Sequence, residues 1–398
     1  MSRPPLMLKK GAEKRVRAGH HWLFSNEIDV KRTPLTAFEA GEQAELQAAN
    51  GKSLGTVLVN PNTLICARLV ARDPSVGLTA KLIEHRLQVA LQLRDRVFPQ
   101  PYYRWLYGDS DGLPGLVIDR YGDTLVVQIS VAGMEPFRAA ITQALKRLVS
   151  PSCILYKNDG KMRQVEGLPS YVEADHGDLP ERLTVIENGV TFEVDVAGGQ
   201  KTGWFYDHRL NRHKLATYAQ GCRVLDVFSY AGGWGVQAGV AGAESVTFVD
   251  SSGRALQDAA ANAERNGLRQ AETLQGDAFE VLRGLAADKR RFDIVVMDPP
   301  ALIPRKRDIK AGEAAYARLN ELALRLLDRE GLLVSASCSM HLPPERLRDL
   351  IRASGRKVDR FLQVIEQGEQ GPDHPVLPAM PETAYLKAYF VRSLTGFF

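Results

Sequence analysis

The sequence predicts an α/β protein: a doubly wound parallel sheet in the C-terminal half, preceded by a small β-barrel and a small mixed α/β segment. From about residue 185 onward, short apolar runs alternate with amphipathic helical stretches, the pattern of repeated βα units. The first 75 residues hold closely spaced strands divided by turn sequences, as a small barrel requires. A length of 398 residues exceeds one ordinary domain, and 44% apolar with 25% charged residues is a globular composition. The expected division is 1–75, 76–184 and 185–398.

In the first segment the strands are Ala44–Ala48, Gly55–Val59 and Ile65–Val70, separated by Asn50-Gly51 and Asn60-Pro61-Asn62. A helix follows over Leu78–Val97, with Leu82, Leu87, Val89, Leu91 and Leu93 at helical spacing. Gly115–Asp119, Thr124–Ser130 and Cys153–Lys157 read as strands, with a helix near Glu135–Leu148, and polar Asp175–Pro180 as a linker. The expected strands of the large sheet are Arg223–Val227, Ser245–Val249, Glu272–Gln275, Phe292–Met297 and Leu332–Ala336. Helical segments at Val236–Val240, Ala255–Asn266, Phe279–Ala286 and Ala311–Leu327 alternate with them, and two late strands near Lys357–Val364 and Thr383–Phe390 complete the sheet.

The formal charge of +4 is mild but uneven. Lys9, Lys10, Arg15 and Arg17, with Lys14, Lys31 and Arg32, make the N-terminal stretch basic; this suits a polyanion, although a solvated charged face reads the same way. Four cysteines show neither CxxC spacing nor a disulfide framework, which argues against zinc ribbons, a redox dithiol or any metal centre. Cys66, Cys153 and Cys222 sit in apolar runs and are expected to be inert. No signal-peptide pattern or membrane-length apolar run is present, so the expected location is the cytoplasm, with no membrane partner.

The run Val224–Gly233 is a strand entering a glycine-bearing loop and then a helix. Gly233, Gly235 and Ala238 fit G-x-G-x-x-A, a weak signal by itself. Asp226 near the strand end would repel a pyrophosphate, and the glycines arrive too late to cradle one, which disfavours an NAD-linked dehydrogenase. A cationic ligand without phosphate, such as S-adenosylmethionine, would suit that acid. Asp250, followed by Ser251, ends the second strand, where it can accept ribose hydroxyls; Asp277, followed by Ala278, lies after the third, within reach of an adenine amino group. Each aspartate alone is equally a helix cap or turn residue. An acid at each of three successive strand ends points to the sheet of a class I methyltransferase.

Asp298-Pro299-Pro300 and Cys338 follow the fourth and fifth strands. The prolines stop a strand, and they also stiffen a loop beneath a planar substrate while Asp298 meets its polar edge. Carbon 5 of a pyrimidine takes a methyl group only after a nucleophile adds at carbon 6. A thiolate does this, and an ordinary thiol titrates near ~8.5, so the site must lower that value. Cys338 is the expected nucleophile, although a core cysteine fits the local pattern; His341, three residues on, is a candidate base or a helix-entry residue.

Together these segments resemble the bacterial large-subunit ribosomal RNA cytosine-C5 methyltransferases that carry an N-terminal PUA domain. The resemblance rests on Leu8-Lys9-Lys10-Gly11, His21-Trp22-Leu23-Phe24, Gly112–Asp119, Gln200–Arg209, Phe228-Ser229-Tyr230, Asp298-Pro299-Pro300, Ser337-Cys338-Ser339 and Asp373-His374-Pro375. It implies a PUA barrel for RNA docking, a central α/β domain and a Rossmann-like methyltransferase domain. It implies that Gln200, Lys201, Thr202, Gly203 and Phe205 border the cofactor pocket. Asp226, Phe228, Ser229, Tyr230, Gly232, Asp250, Ser251, Asp277, Ala278, Asp298 and Pro300 then hold S-adenosylmethionine or its surroundings. Basic residues at the N-terminus and at Arg305 and Lys306 would contact RNA. The chain departs from related RNA methyltransferases by Ala301 in place of a second cysteine, and by Leu302 in place of an aromatic residue. The implied partner is 23S ribosomal RNA or a large-subunit assembly intermediate; a homodimer is left open. Uracil-C5 methylation, and a non-catalytic RNA-binding or assembly factor on the same fold, are the alternatives.

Overall fold

The computed structural model describes residues 3–196 and 202–396. It divides into two compact units that interleave along the chain. The first comprises 1–183, 195–204 and 372–383; the second comprises 184–194, 205–371 and 384–398. Residues 195–204 and 372–383 are thus grouped with the first unit rather than with the C-terminal segment expected from sequence.

In the first unit, a five-stranded sheet has the order Pro5–Met7, Gln43–Gln47, Ser53–Val59, Ile65–Ala71, Trp22–Phe24. Alternation along Gln43–Gln47 turns Ala44 and Leu46 inward, into a core with Leu6, Leu23, Val57 and Val59. A second five-stranded sheet has the order Tyr171–His176, Cys153–Asn158, Thr124–Ile129, Leu116–Tyr121, Tyr102–Tyr107. Helices Ala80–Val97 and Arg138–Val149 share its core through Ile83, Leu87, Ile141 and Leu145. Tyr102–Tyr107 escaped prediction because a register shift between Arg104 and Leu106 breaks the alternation that marks a strand. Asp175 and His176, expected in a linker, belong to the strand Tyr171–His176, where Arg138 holds Asp175 at 2.6 Å. The strand ends at Gly177, with φ +66°, where a Cβ would lie 1.9 Å from the Ser152 carbonyl oxygen.

Leu183–Glu187 and Val190–Val194, in the second unit from Thr184 onward, form a two-stranded sheet through Asn188-Gly189, both at positive φ; the expected elements omit this hairpin, although Asn-Gly between alternating apolar residues signals one. The large sheet has seven strands, ordered Ala271–Gln275, Ser245–Asp250, Arg223–Val227, Phe292–Met297, Leu327–Ser337, Lys387–Leu394, Phe361–Gly368. The first five are parallel, and the last two pair antiparallel, so the sheet is mixed rather than parallel throughout. Antiparallel neighbours need no helical crossover, which is why the βα rhythm fades near the C-terminus. The late strands lie about four residues beyond their expected places, because an amphipathic helix with proline in its first turn occupies Pro344–Lys357. Strand order reverses between Arg223–Val227 and Phe292–Met297, so the crevice outside their carboxyl ends is the natural ligand site.

Candidate active site

Asp226 is fully buried near the end of the central strand, and its Oδ2 accepts the Gly235 N–H at 2.9 Å. Gly235 permits this approach: a Cβ there would meet Phe248 at 2.5 Å and Asp226 Oδ2 at 3.1 Å. Asp226 therefore lies beneath the loop and anchors the helix Gly233–Val240, instead of lining the crevice as expected. Its Oδ1 is buried with no hydrogen-bond partner among the described residues. Burial, joined by the charges of Asp298 and Asp250, pushes the Asp226 carboxyl up to about 7 against the Gly235 bond.

The loop above it is strained, since Phe228 and Tyr230 hold φ of +65° and +48°. Asp250 fixes that loop: its Oδ2 accepts the Tyr230 N–H at 3.0 Å and its Oδ1 the Ser252 N–H at 2.9 Å. Phe205 meets the Tyr230 ring edge-on, with centroids 5.5 Å apart. Ser229 is buried with its hydroxyl unpartnered among the described residues, and Gly232, at φ +83°, caps the helix start. Asp277 does cap a helix, with Oδ1 accepting the Phe279 and Glu280 N–H groups, which leaves Oδ2 as the oxygen for a ligand. Ser251 and Pro300 are exposed and Ala278 is buried. Thr202 and Gly203 belong to the first unit, where the Thr202 hydroxyl donates to Asp119 and its carbonyl accepts the Tyr121 hydroxyl. Gln200 and Lys201 lie outside the described residues.

Asp298 is gripped from two sides. Its Oδ1 lies 3.2 Å from His208 Nε2, and its Oδ2 accepts the Trp234 indole N–H at 3.0 Å. His208 Nε2 is the ring nitrogen that faces Asp298, and the Asn211 amide nitrogen lies 3.1 Å from His208 Nδ1 on the other side of the ring. Burial pushes the Asp298 carboxyl up, but the His208 charge and the two N–H bonds outweigh it and hold the group below the usual carboxylate range. A carboxylate offers about four acceptor positions, so capacity for a substrate edge remains. Neither His208 nor Trp234 was assigned a role from sequence: His208 lies in the short helical turn Tyr206–His208, far upstream of the glycine-bearing loop, and Trp234 in the helix that follows that loop.

Parallel register sets Met297 opposite Ser335, so Asp298 follows beside Ala336, two residues short of Cys338. Both groups therefore emerge at the carboxyl ends of neighbouring strands. Cys338 is half-buried and in no disulfide, whereas Cys66 and Cys153 are fully buried. Burial pushes the Cys66 thiol up to about 12 and raises Cys153 and Cys222 as well. His341 is half-buried and makes no side-chain hydrogen bond among the described residues.

The basic residues separate into two kinds. Arg15 pairs with Glu27 at 2.6 Å, bonds the Trp22 carbonyl and stacks on Phe24, so it is structural rather than an open phosphate contact. Lys10, Arg17, Arg305 and Lys306 are exposed, and so is Lys9, whose ammonium donates to the Asn26 carbonyl. A cleft of about 900 Å³ opens at the opposite, amino ends of the strands, lined by Arg223, Asp293, Glu330 and Arg392. It lies away from the aspartates and from Cys338. Among the described residues no group of side chains is arranged to hold a metal, and no helix is long and apolar enough to cross a membrane.

A seven-stranded sheet in this order, with three interacting carboxylates at its switch point and an orphaned buried oxygen among them, suits a ligand carrying positive charge. That is the class of S-adenosylmethionine-dependent methyltransferases, whose family description matches residues 161–392; a PUA-like domain matches residues 6–72. The cofactor is S-adenosylmethionine. The chain is 37% identical to ribosomal RNA large subunit methyltransferase I of Klebsiella pneumoniae (strain 342), covering 98% of each chain. It is 37% identical to the protein of the same name from Serratia proteamaculans (strain 568), covering 97% of this chain and 98% of that one. It belongs to the ribosomal RNA large subunit methyltransferase I family. Among solved structures, a putative methyltransferase from Streptococcus mutans superposes with a TM-score of 0.83 at 22% identity, over 98% of this chain and 100% of that one. A putative methyltransferase complexed with SAH gives 0.84 at 22% identity, over the same shares. These two likenesses establish the fold.

Proposed function

We propose that the protein methylates carbon 5 of a cytosine in 23S ribosomal RNA, either free or within a large-subunit assembly intermediate, through a covalent adduct of Cys338. The observation that carries this reading is the emergence of Cys338 and an ionised, doubly held Asp298 at the carboxyl ends of adjacent strands beside the switch point. The Cys338 thiolate adds to carbon 6, and the displaced electron pair makes carbon 5 nucleophilic. S-adenosylmethionine supplies the methyl group at an electrophilic sulfonium. Removal of the carbon-5 proton by a base returns an electron pair to the ring, restores the double bond and expels the thiolate.

Asp298, held ionised, accepts from the cytosine 4-amino group; uracil places the acceptor O4 there and keeps N3–H as a donor, so the carboxylate favours cytosine modestly. The base must leave its stack to reach the crevice. We assign 1–75 to RNA docking, 76–184 to a central domain and 185–398 to catalysis, in the cytoplasm. Asp250 and Asp277 are assigned to the cofactor directly, and Asp226 through the loop it supports. Exposed Lys9, Lys10, Arg17, Arg305 and Lys306 are assigned to phosphates, Lys9 through donors beyond its Asn26 bond.

Nucleoside analysis of 23S RNA after incubation with enzyme and labelled S-adenosylmethionine tests the reading. We expect 5-methylcytidine from the wild type and a loss of ~10³-fold or more in Cys338→Ala. Labelled 5-methyluridine, or full turnover in Cys338→Ala, would overturn it.

A further inference from the structure

Lys387 is buried in the large sheet, opposite Ser337 in the antiparallel register that pairs the strand carrying Cys338 with Lys387–Leu394. Its ammonium donates to the carbonyl of Ser339, the residue directly after Cys338, and to the carbonyl of Tyr385. These account for two of its three N–H donors. Among the described residues no carboxylate forms an ion pair with it, which is unusual for a buried lysine. The charged or titratable groups placed around it are few. Tyr316, from the helix Ile309–Leu326, is joined by hydrogen bonds to the Ser337 and Ser339 hydroxyls; the Tyr385 hydroxyl is engaged by Asp207; and, among the described residues, Cys338 is the titratable group whose negative form favours the Lys387 charge.

We propose that Lys387 is a positioning residue for Cys338: an internal cation, tied to the Ser339 carbonyl, whose charge keeps the neighbouring thiol as the thiolate that adds to carbon 6. The role rests on the assignment of Cys338 as nucleophile, and it answers the requirement that the site lower an ordinary thiol. The lysine acts through its charge and touches neither substrate nor cofactor. Burial draws Lys387 down to about 8, and the facing thiolate opposes that fall, as expected for two coupled groups that each favour the other's charged form. With the thiolate formed, the proton stays on the Lys387 nitrogen, which the Ser339 and Tyr385 carbonyls hold in place. The nucleophile is then ready before RNA arrives, and elimination of the thiolate from carbon 6 is assisted by the same cation.

The test is the pH dependence of Cys338 alkylation by iodoacetamide in the full chain, read by peptide mass spectrometry without RNA or cofactor. We expect the wild-type midpoint at least one pH unit below ~8.5. It should rise by about one pH unit or more in Lys387→Met, and stay near the wild-type value in Lys387→Arg. If Lys387→Met does not fold, Cys338→Ser supplies the reciprocal measurement: without its anion, the Lys387 midpoint for acetylation must fall. A wild-type Cys338 midpoint at or above the ordinary value, or no change in either variant, overturns the proposal. These readouts are independent of methyl transfer. A shifted thiol without 5-methylcytidine formation condemns the proposed reaction alone; 5-methylcytidine formed by an unshifted thiol condemns the role of Lys387 alone.

Discussion

The two ends of the large sheet solve the problem of charge in opposite ways. At the amino ends, Arg223 bonds Asp293 with two nitrogens and reaches Asp328 at 2.9 Å, while Arg392 pairs with Glu330. Each of these acids has an arginine: hydrogen bonds from Arg223 hold Asp293 below its usual range, and the Arg329 N–H followed by Arg223 does the same for Asp328. At the carboxyl ends the matching is deliberately incomplete. Asp226 keeps an oxygen without a partner, Asp298 is held by neutral-capable N–H groups rather than arginine, and Lys387 has no carboxylate. A fold gains stability from satisfied charges, whereas a binding site needs groups whose satisfaction arrives with the ligand. The cleft at the amino ends has volume but chemically closed walls; the carboxyl ends have the unsatisfied chemistry.

The comparison breaks first at Asp298. Replacing it with Asn keeps the shape and removes the charge that meets the base, and we expect methyl transfer to fall by ~10²–10³-fold with cofactor affinity nearly kept. A fall smaller than threefold in single-turnover rate would remove Asp298 from the reaction.

Asp226 sharpens the comparison through pH. Its folded carboxyl is raised to about 7, above an unfolded value of ~3.9, so the folded state holds the extra proton between these limits. Stability from this group is greatest below ~4, declines as pH rises to about 7 and is level beyond. Asp226→Asn should flatten that decline in thermal melts of the cofactor-free protein. A cationic ligand favours the ionised form, so cofactor affinity in the wild type should tighten between pH 6 and 8, roughly the span of this titration, and stay flat in the variant. A pH-independent wild-type affinity would separate Asp226 from cofactor binding.

The smallest effect belongs to the amino ends. Arg223→Ala breaks pairs that are partly exposed, and we expect a loss on the order of 1 kcal/mol in denaturant unfolding with unchanged turnover. Altered kinetics there would mean that the two ends are not functionally distinct.

The parallel part of the sheet was legible because buried parallel strands are continuous apolar runs: Arg223–Val227 and Phe292–Met297 were placed to the residue. The strand Tyr102–Tyr107 was missed because its bulge breaks the period, whereas the hairpin at Asn188-Gly189 was legible in its alternating strands and turn pair and went unread. For the site, sequence placed Asp298 and Cys338 on adjacent strand ends but could not tell Asp226 beneath the loop from Asp250 at its edge, because depth is set by helix packing on Gly235. Arg15 shows the same limit: charge is visible in sequence, and whether Glu27 already occupies it is not. His208, Trp234 and Lys387 reach their partners across strands and loops distant in sequence, so their roles appear only in three dimensions.

The central claim is that one thiol, Cys338, bonds to carbon 6 of a cytosine. Its most direct measurement uses 23S transcripts containing 5-fluorocytidine, where fluorine replaces the departing proton and elimination stalls. With S-adenosylmethionine present, we expect a denaturation-resistant protein–RNA adduct that maps by mass spectrometry to the peptide containing Cys338 and is absent from Cys338→Ala. No adduct from the active wild-type enzyme, or one mapped to Cys222, would contradict the account.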